Sequence, residues 1–217
     1  MIKPVGSDQL QPLFVYDPDR HHELMREAET LPSVVISSQA AGNAVMMGGG
    51  YFSPLKGFMN VADAVSVAET MRTTSGMFFP VPVLCLLESA APIGDAKRIA
   101  LRDPNMEGNP VLAIMDVEAI EEVSDAQMAT MTEKVYRTQD PEHPGVATFN
   151  SQGRVAVSGD IQVLHFSYFQ DDFPDTFRTA VEIRNEIAER GWKRVVAFQT
   201  RNPMHLAHEE LCHMAMD

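Results

Sequence analysis

The sequence predicts an α+β domain with a barrel-like sheet, followed by the opening of an α/β domain. Three observations carry this reading. Residues 1–170 alternate short β-rich runs with turn signals and a few helical stripes. From Asp171-Asp172-Phe173-Pro174 onward the pattern becomes helix, strand, helix. The run Val195-Val196-Ala197-Phe198 is apolar throughout, as a parallel strand covered on both faces requires.

In chain order, strands are expected at 33–37, 82–87, 98–101, 111–117, 154–157 and 161–165. The first is rich in β-branched residues, Val34, Val35 and Ile36, which suit a pleated surface. Gly48-Gly49-Gly50, Asp103-Pro104-Asn105, Gly108-Asn109-Pro110 and Gln152-Gly153 supply turns between them. A helix over 60–70 follows from Val61, Ala64, Val65 and Ala68 on one stripe, and a second over 124–136 begins at Ser124 as N-cap. The paired His21-His22 reads as part of a solvated helix face, and Gly48-Gly49-Gly50 as a flexible turn, since no Gly-Lys-Ser/Thr follows to make a phosphate loop.

Beyond residue 170, Asp175 caps an expected helix over 176–190, with Gly191 at the C′ position. A strand over 194–199 follows, and Asn202-Pro203 is an N-cap with proline at the first position of another helix. A lone strand between two helices cannot bury its own faces, so the expectation is one complete domain, 1–170, and the first helix, strand and helix of a second, truncated domain, 171–217.

Composition bounds the function. The 217 residues are 45% hydrophobic and 22% charged, which is too apolar for disorder. Lys and Arg total 17 against 30 Asp and Glu, a formal charge of −13. Residues 1–170 alone hold 11 basic and 21 acidic side chains, or −10. That argues against a nucleic-acid partner. The longest apolar run, from Met77 to Leu87, contains Pro80 and Pro82 and is too short to span a bilayer. With no signal-peptide core at the start and only Cys85 and Cys212 for thiols, the cytoplasm is the expected compartment.

The chemistry concentrates in Gln199-Thr200-Arg201-Asn202-Pro203-Met204-His205-Leu206-Ala207-His208. A strand delivers polar groups to its carboxyl end, where ligands bind in open α/β sheets. A helix start faces the same place with free N–H groups and the positive end of its dipole. His205 and His208, three apart, share a face, and Arg201 carries a planar fork suited to oxyanions. The set fits phosphate or sulfate and offers no nucleophile, as suits a transfer run on positioning and electrostatics. His205, His208 and Cys212 also share a helical face, but no second ligand cluster accompanies them, and no metal site is assigned.

The run 199–211, QTRNPMHLAHEEL, resembles the signature of the ATP sulfurylase (sulfate adenylyltransferase) family. Upstream, Ser53-Pro54-Leu55-Lys56-Gly57-Phe58-Met59 resembles the family's S-P-L-x-G-F-M segment. The run from Tyr136 to Asp140 with His143-Pro144-Gly145-Val146 resembles its Y-x-T-x-D-x-x-H-P-G-V segment, and 191–198 its lead-in to the active-site strand. The resemblance implies a PUA-like N-terminal domain and a Rossmann-like nucleotidyltransferase domain. It implies a homo-oligomer that turns MgATP and sulfate into adenosine 5′-phosphosulfate and pyrophosphate, sulfate attacking the α-phosphorus directly. Mg²⁺ arrives on ATP. Gln199 and Arg201 would bind sulfate. Thr200, Arg201 and Asn202, at the catalytic strand end, would be catalytic together with His205 and His208; these five and Gln199 would bind the nucleotide, with Asn202, His205 and His208 at its phosphates. Leu206 departs from the family's commoner arginine. The piece alone is expected to be inactive, because the family completes its site further downstream. Two other readings stay open: a nucleotidyltransferase with a phosphorylated acceptor, and a non-catalytic PUA-like RNA-binding module.

Overall fold

Two long strands organise the first part of the chain, and every other strand but one hydrogen-bonds to one or other of them. The computed structural model describes residues 3–216. Its elements are α1 (Pro18–Ala28), β1 (Ser33–Val35), α2 (Ser38–Gly48), β2 (Gly57–Phe58), α3 (Val61–Thr70), β3 (Leu86–Leu87), β4 (Arg98–Arg102), β5 (Val111–Glu122), α4 (Asp125–Tyr136), α5 (Pro144–Asn150), β6 (Val155–Val163), α6 (Phe169–Asp172), α7 (Ala180–Glu189) and α8 (Leu206–Met216). They divide into two units, Met1–Val181 and Glu182–Asp217.

The first unit is a mixed sheet in the order β1-β4-β5-β6-β2, with β3 also on β6. β1 runs parallel to β4, and the other pairs are antiparallel. Val111 through Met115 are consecutively buried, so both faces of the sheet are covered here. Leu112, Ala113 and Met115 join the main core with α2, α3 and α4. Val111 and Ile114 pack with Leu24 and Ala28 of α1, and with Leu164. Ala40, Ala41 and Ala44 leave α2 slim enough to lie close on the sheet; a Cβ on Gly48 would stand 2.9 Å from the Val163 side chain. Arg98 fastens α1 to this sheet, pairing with Glu27 and with Asp116 at 2.7 Å, and donating to Gln162 at 3.1 Å.

Side chains close most helix starts. Asp17, Ser37, Asn60 and Ser124 each accept from the backbone N–H three residues on, and Ser124 with Gln127 makes a full capping box. The Glu121 carboxylate, reaching from β5, accepts from the Val61 N–H at 3.0 Å. His143, expected as a turn residue, caps α5 through Nδ1, 3.3 Å from the Val146 N–H. Its ring lies 5.6 Å from that of Tyr136, whose phenol is pushed up by burial.

Several sequence expectations shift, each for a local reason. The first strand stops at Val35 because Ser37 caps α2. Of 82–87 only Leu86 and Leu87 pair; Pro82 has no N–H to give a ladder. The Gly48–Gly50 turn is the end of α2, with Gly48 buried. His21 is half-buried rather than solvated, its Nε2 2.8 Å from the Leu164 carbonyl. The two strands expected at 154–157 and 161–165 are one strand, β6, and β5 runs on to Glu122. The joint is a β-bulge between Val117 and Ala119, opposite Gly159 at φ 147.

In the second unit, α7 ends in a Schellman turn: Gly191, at φ 65, donates to Ala188, and Trp192 donates to Ile187. Arg190 pairs with Glu186 at 2.6 Å and lies over the Trp192 ring. Two expectations are corrected here. Residues 174–179 are not helical, and α7 starts only at Ala180. Residues 194–199 are in no ladder among the described residues, and Val195 and Val196 are exposed; a strand needs a neighbour for its backbone groups.

Three outcomes follow. Gly159→Ala lowers the unfolding free energy in urea by about 2–4 kcal/mol, since its Cβ would stand 1.9 Å from the Asp116 carbonyl oxygen. Gly42→Ala, with nothing within 4 Å in the body of α2, raises it by about 0.5–1 kcal/mol. Complete burial pushes the Cys85 thiol from its usual 9.0 up to about 12. The folded state therefore keeps a proton that the unfolded chain loses, and stability falls as pH rises from about 9 to about 12, by at most ~1.4 kcal/mol per pH unit. Denaturation midpoints across that range, compared with those of Cys85→Ala, check it.

Candidate functional site

The run 199–208 is built from two local turns. In the first, Thr200 Oγ1 accepts from the Asn202 N–H at 3.1 Å and donates to the Asn202 carbonyl at 3.0 Å. This replaces the helix cap expected of Asn202, since α8 begins only at Leu206. Pro203 correspondingly lies ahead of the helix, not inside it.

The second turn is the helix start. The His205 carbonyl accepts from the N–H groups of His208 at 2.8 Å and Glu209 at 3.2 Å, which makes His205 the N-cap and His208 the third helical residue. The His208 side chain then reaches back, its Nδ1 accepting from the His205 N–H at 3.3 Å. This is the returning half of a capping box, with imidazole in place of glutamate. It also fixes the tautomer: Nδ1 accepts, so the proton of the neutral ring sits on Nε2, free to donate elsewhere. The two imidazoles lie 3.8 Å apart, tilted by 31°. The Leu206 and Ala207 N–H groups have no backbone acceptor among the described residues, so the helix start presents free donors beside the imidazole pair.

The structure thus brings together His205 with His208, and Thr200 with Asn202. It records no hydrogen bond or ion pair for Gln199 or Arg201 among the described residues, and both are exposed. His208 is half-buried; the other five are exposed. Sequence reasoning overlooked Phe198, whose ring stands edge-on to His208 at 5.6 Å. The signal was its place at the end of an apolar run, just ahead of the polar turn. Among the described residues no three His, Cys, Asp or Glu gather as metal ligands, and no helix is long and apolar enough to cross a membrane.

Residues 2–166 match the family model for the PUA-like domain. The chain belongs to the PUA-like domain family. The PUA-like unit is followed by a second match, to the ATP-sulfurylase family model over residues 174–217, which contains the whole 199–208 run. Similarity to sulfate adenylyltransferases extends over the full chain. It is 76% identical over 217 residues to the one from Allochromatium vinosum, covering 100% of this chain and 55% of that relative. It is 74% identical over 217 residues to the one from the Riftia pachyptila sulfur-oxidizing endosymbiont, covering 100% and 49%. The chain therefore spans about half the length of these curated relatives. Among solved structures it is similar to a hexameric APS kinase from Thiobacillus denitrificans, with TM-score 0.74 and 27% identity, covering 99% of this chain and 37% of that one. The α+β reading of the first domain and the resemblance to ATP sulfurylase both stand on these matches.

The capping role of His208 generates a separate outcome. His208→Gln, which can still accept from the His205 N–H, keeps the helical signal of 206–216, while His208→Ala loses about 0.5–1 kcal/mol of local stability. Amide hydrogen exchange at Glu209 and Glu210 reads the difference.

Proposed function

We propose that this chain contributes the first part of the active site of a sulfate adenylyltransferase. The enzyme would convert MgATP and sulfate into adenosine 5′-phosphosulfate and pyrophosphate. The observation that carries the reading is the imidazole pair at the start of α8, 3.8 Å apart, inside the segment matched by the ATP-sulfurylase family.

In this reading His205 and His208 hold the β- and γ-phosphates. The Nε2–H of His208 donates to a phosphate oxygen, while Nδ1 keeps the helix start tied. As the bond from the α-phosphorus to the bridging oxygen breaks, negative charge grows on the departing pyrophosphate. Donors already aimed at it stabilise that charge more than the ground state. The free Leu206 and Ala207 N–H groups add to the same field. Arg201, with no partner of its own among the described residues, offers two parallel donors to sulfate, assisted by Gln199. Thr200 and Asn202, locked to each other, set the angle at which the chain turns from the sulfate side to the phosphate side. Mg²⁺ enters as part of the nucleotide substrate and screens its charge.

The exposed apolar side chains Val195, Val196 and Leu206 support a further reading. Residues 194–199 become a strand of a Rossmann-like nucleotidyltransferase sheet once neighbouring strands lie beside them. The two separate family matches, 2–166 and 174–217, support placing the domain boundary near residue 170. A cytoplasmic homo-oligomer is proposed for the complete enzyme; the hexameric state of the similar APS kinase supports the oligomeric part.

In a protein spanning the full length of the relatives, Arg201→Ala is expected to lower sulfate-dependent pyrophosphate release about 10³-fold, and His208→Ala about 10²-fold. Near-normal turnover in Arg201→Ala overturns its role. The 217-residue chain alone gives little turnover in the same assay.

A further inference from the structure

The sheet order places β1 at one edge and β3 with β2 at the opposite one. Yet residues 33–37 and 86–89 border a single cleft of about 670 Å³. The sheet therefore curls until its two edges face each other, and a slot stands where a closed barrel would have a ladder.

Backbone pairing shows which groups line that slot. The Ala100 N–H donates to the Pro32 carbonyl at 2.9 Å, and the Ile36 N–H donates to the Arg102 carbonyl at 3.1 Å. With Ser33 opposite Ala100 and Val35 opposite Arg102, the alternation of a parallel ladder turns the peptide groups of Ser33 and Val35 away from β4. On the other side, the Val157 N–H donates to the Cys85 carbonyl at 2.9 Å, which makes Leu86 opposite Ala156 the position whose peptide groups turn away from β6. Among the described residues none of these three has a backbone partner on the slot side. The Gln152 side chain bridges the slot wall, 3.2 Å from Ser37 and 2.8 Å from Gln39.

We propose that this slot binds an extended peptide as an added strand. Its main chain bonds to Ser33 and Val35 on one side and to Leu86 on the other. The lining selects its chemistry. Among the described residues bordering the slot, Glu88, exposed, is the only one with an ionisable side chain. The others are Ser, Thr and Gln hydroxyls and amides, Gly153, and the apolar Val34, Val35, Ile36, Leu86, Leu87 and Pro92, with Val35 51% exposed. The occupant therefore carries a lysine or arginine opposite Glu88 and short uncharged side chains elsewhere. An acidic peptide is disfavoured both by Glu88 and by the charge of −13 on the whole chain.

The test uses the 217-residue chain and a fluorescein-labelled pentapeptide, Thr-Val-Lys-Val-Thr, blocked at both ends. Fluorescence anisotropy is expected to show saturable binding, with amide chemical-shift changes centred on Ser33, Val35 and Leu86. A copy N-methylated on alternate amides, which lacks strand donors, binds at least about tenfold more weakly. Exchanging its lysine for glutamate weakens binding about fivefold. Glu88→Lys, on an exposed side chain that the fold does not need, reverses that preference. Absence of saturable binding, equal binding of the N-methylated copy, or shifts confined to other residues overturns the proposal. So does a concentration-dependent dimer that fills the slot with a second copy of the chain.

Discussion

The first unit depends on one close approach of backbone to backbone. At the bulge in β5, the Asp116 carbonyl lies where a side chain on residue 159 would begin. Glycine at 159 lets β6 pass through unbroken, and β6 then pairs with β5 on one side and with β2 and β3 on the other. Gly57 repeats the arrangement one strand over, where a Cβ would stand 1.9 Å from the Gly159 carbonyl oxygen. These two glycines let three strands crowd together at the bulge.

Much of this is legible in residue types. Asn60 and Ser124 mark their helices to within a residue, because a cap is a local bond between neighbours in sequence. The apolar run 111–115 announces a strand covered on both sides. The errors come where tertiary partners decide. Nothing near Gly159 in sequence says that it stands opposite a bulge some forty residues upstream, so one long strand reads as two. α2 escapes a sequence reading because alanines and glycines give it little amphipathic contrast; their value is the closeness they permit to Val163.

The candidate site shows the same division. The spacing of His205 and His208 reads correctly as one face of a helix start. The sequence does not reveal that one of these histidines is also the fastening of that start. Asn202-Pro203 is the conventional helix opening, yet the Thr200 hydroxyl captures Asn202 first. Residues 194–199 carry the composition of a central strand but pair with no other segment among the described residues. Propensity by itself does not make a ladder.

The back-bond from the His205 N–H to His208 has a consequence for selectivity. One ring nitrogen of His208 already has an internal duty. A soft cation seeking both imidazoles through that lone pair would have to undo the opening coil of its own host. An anion meets no such obstacle, because it asks only for the outward proton. The wiring of the helix start thus decides which edge of the ring is left facing outward.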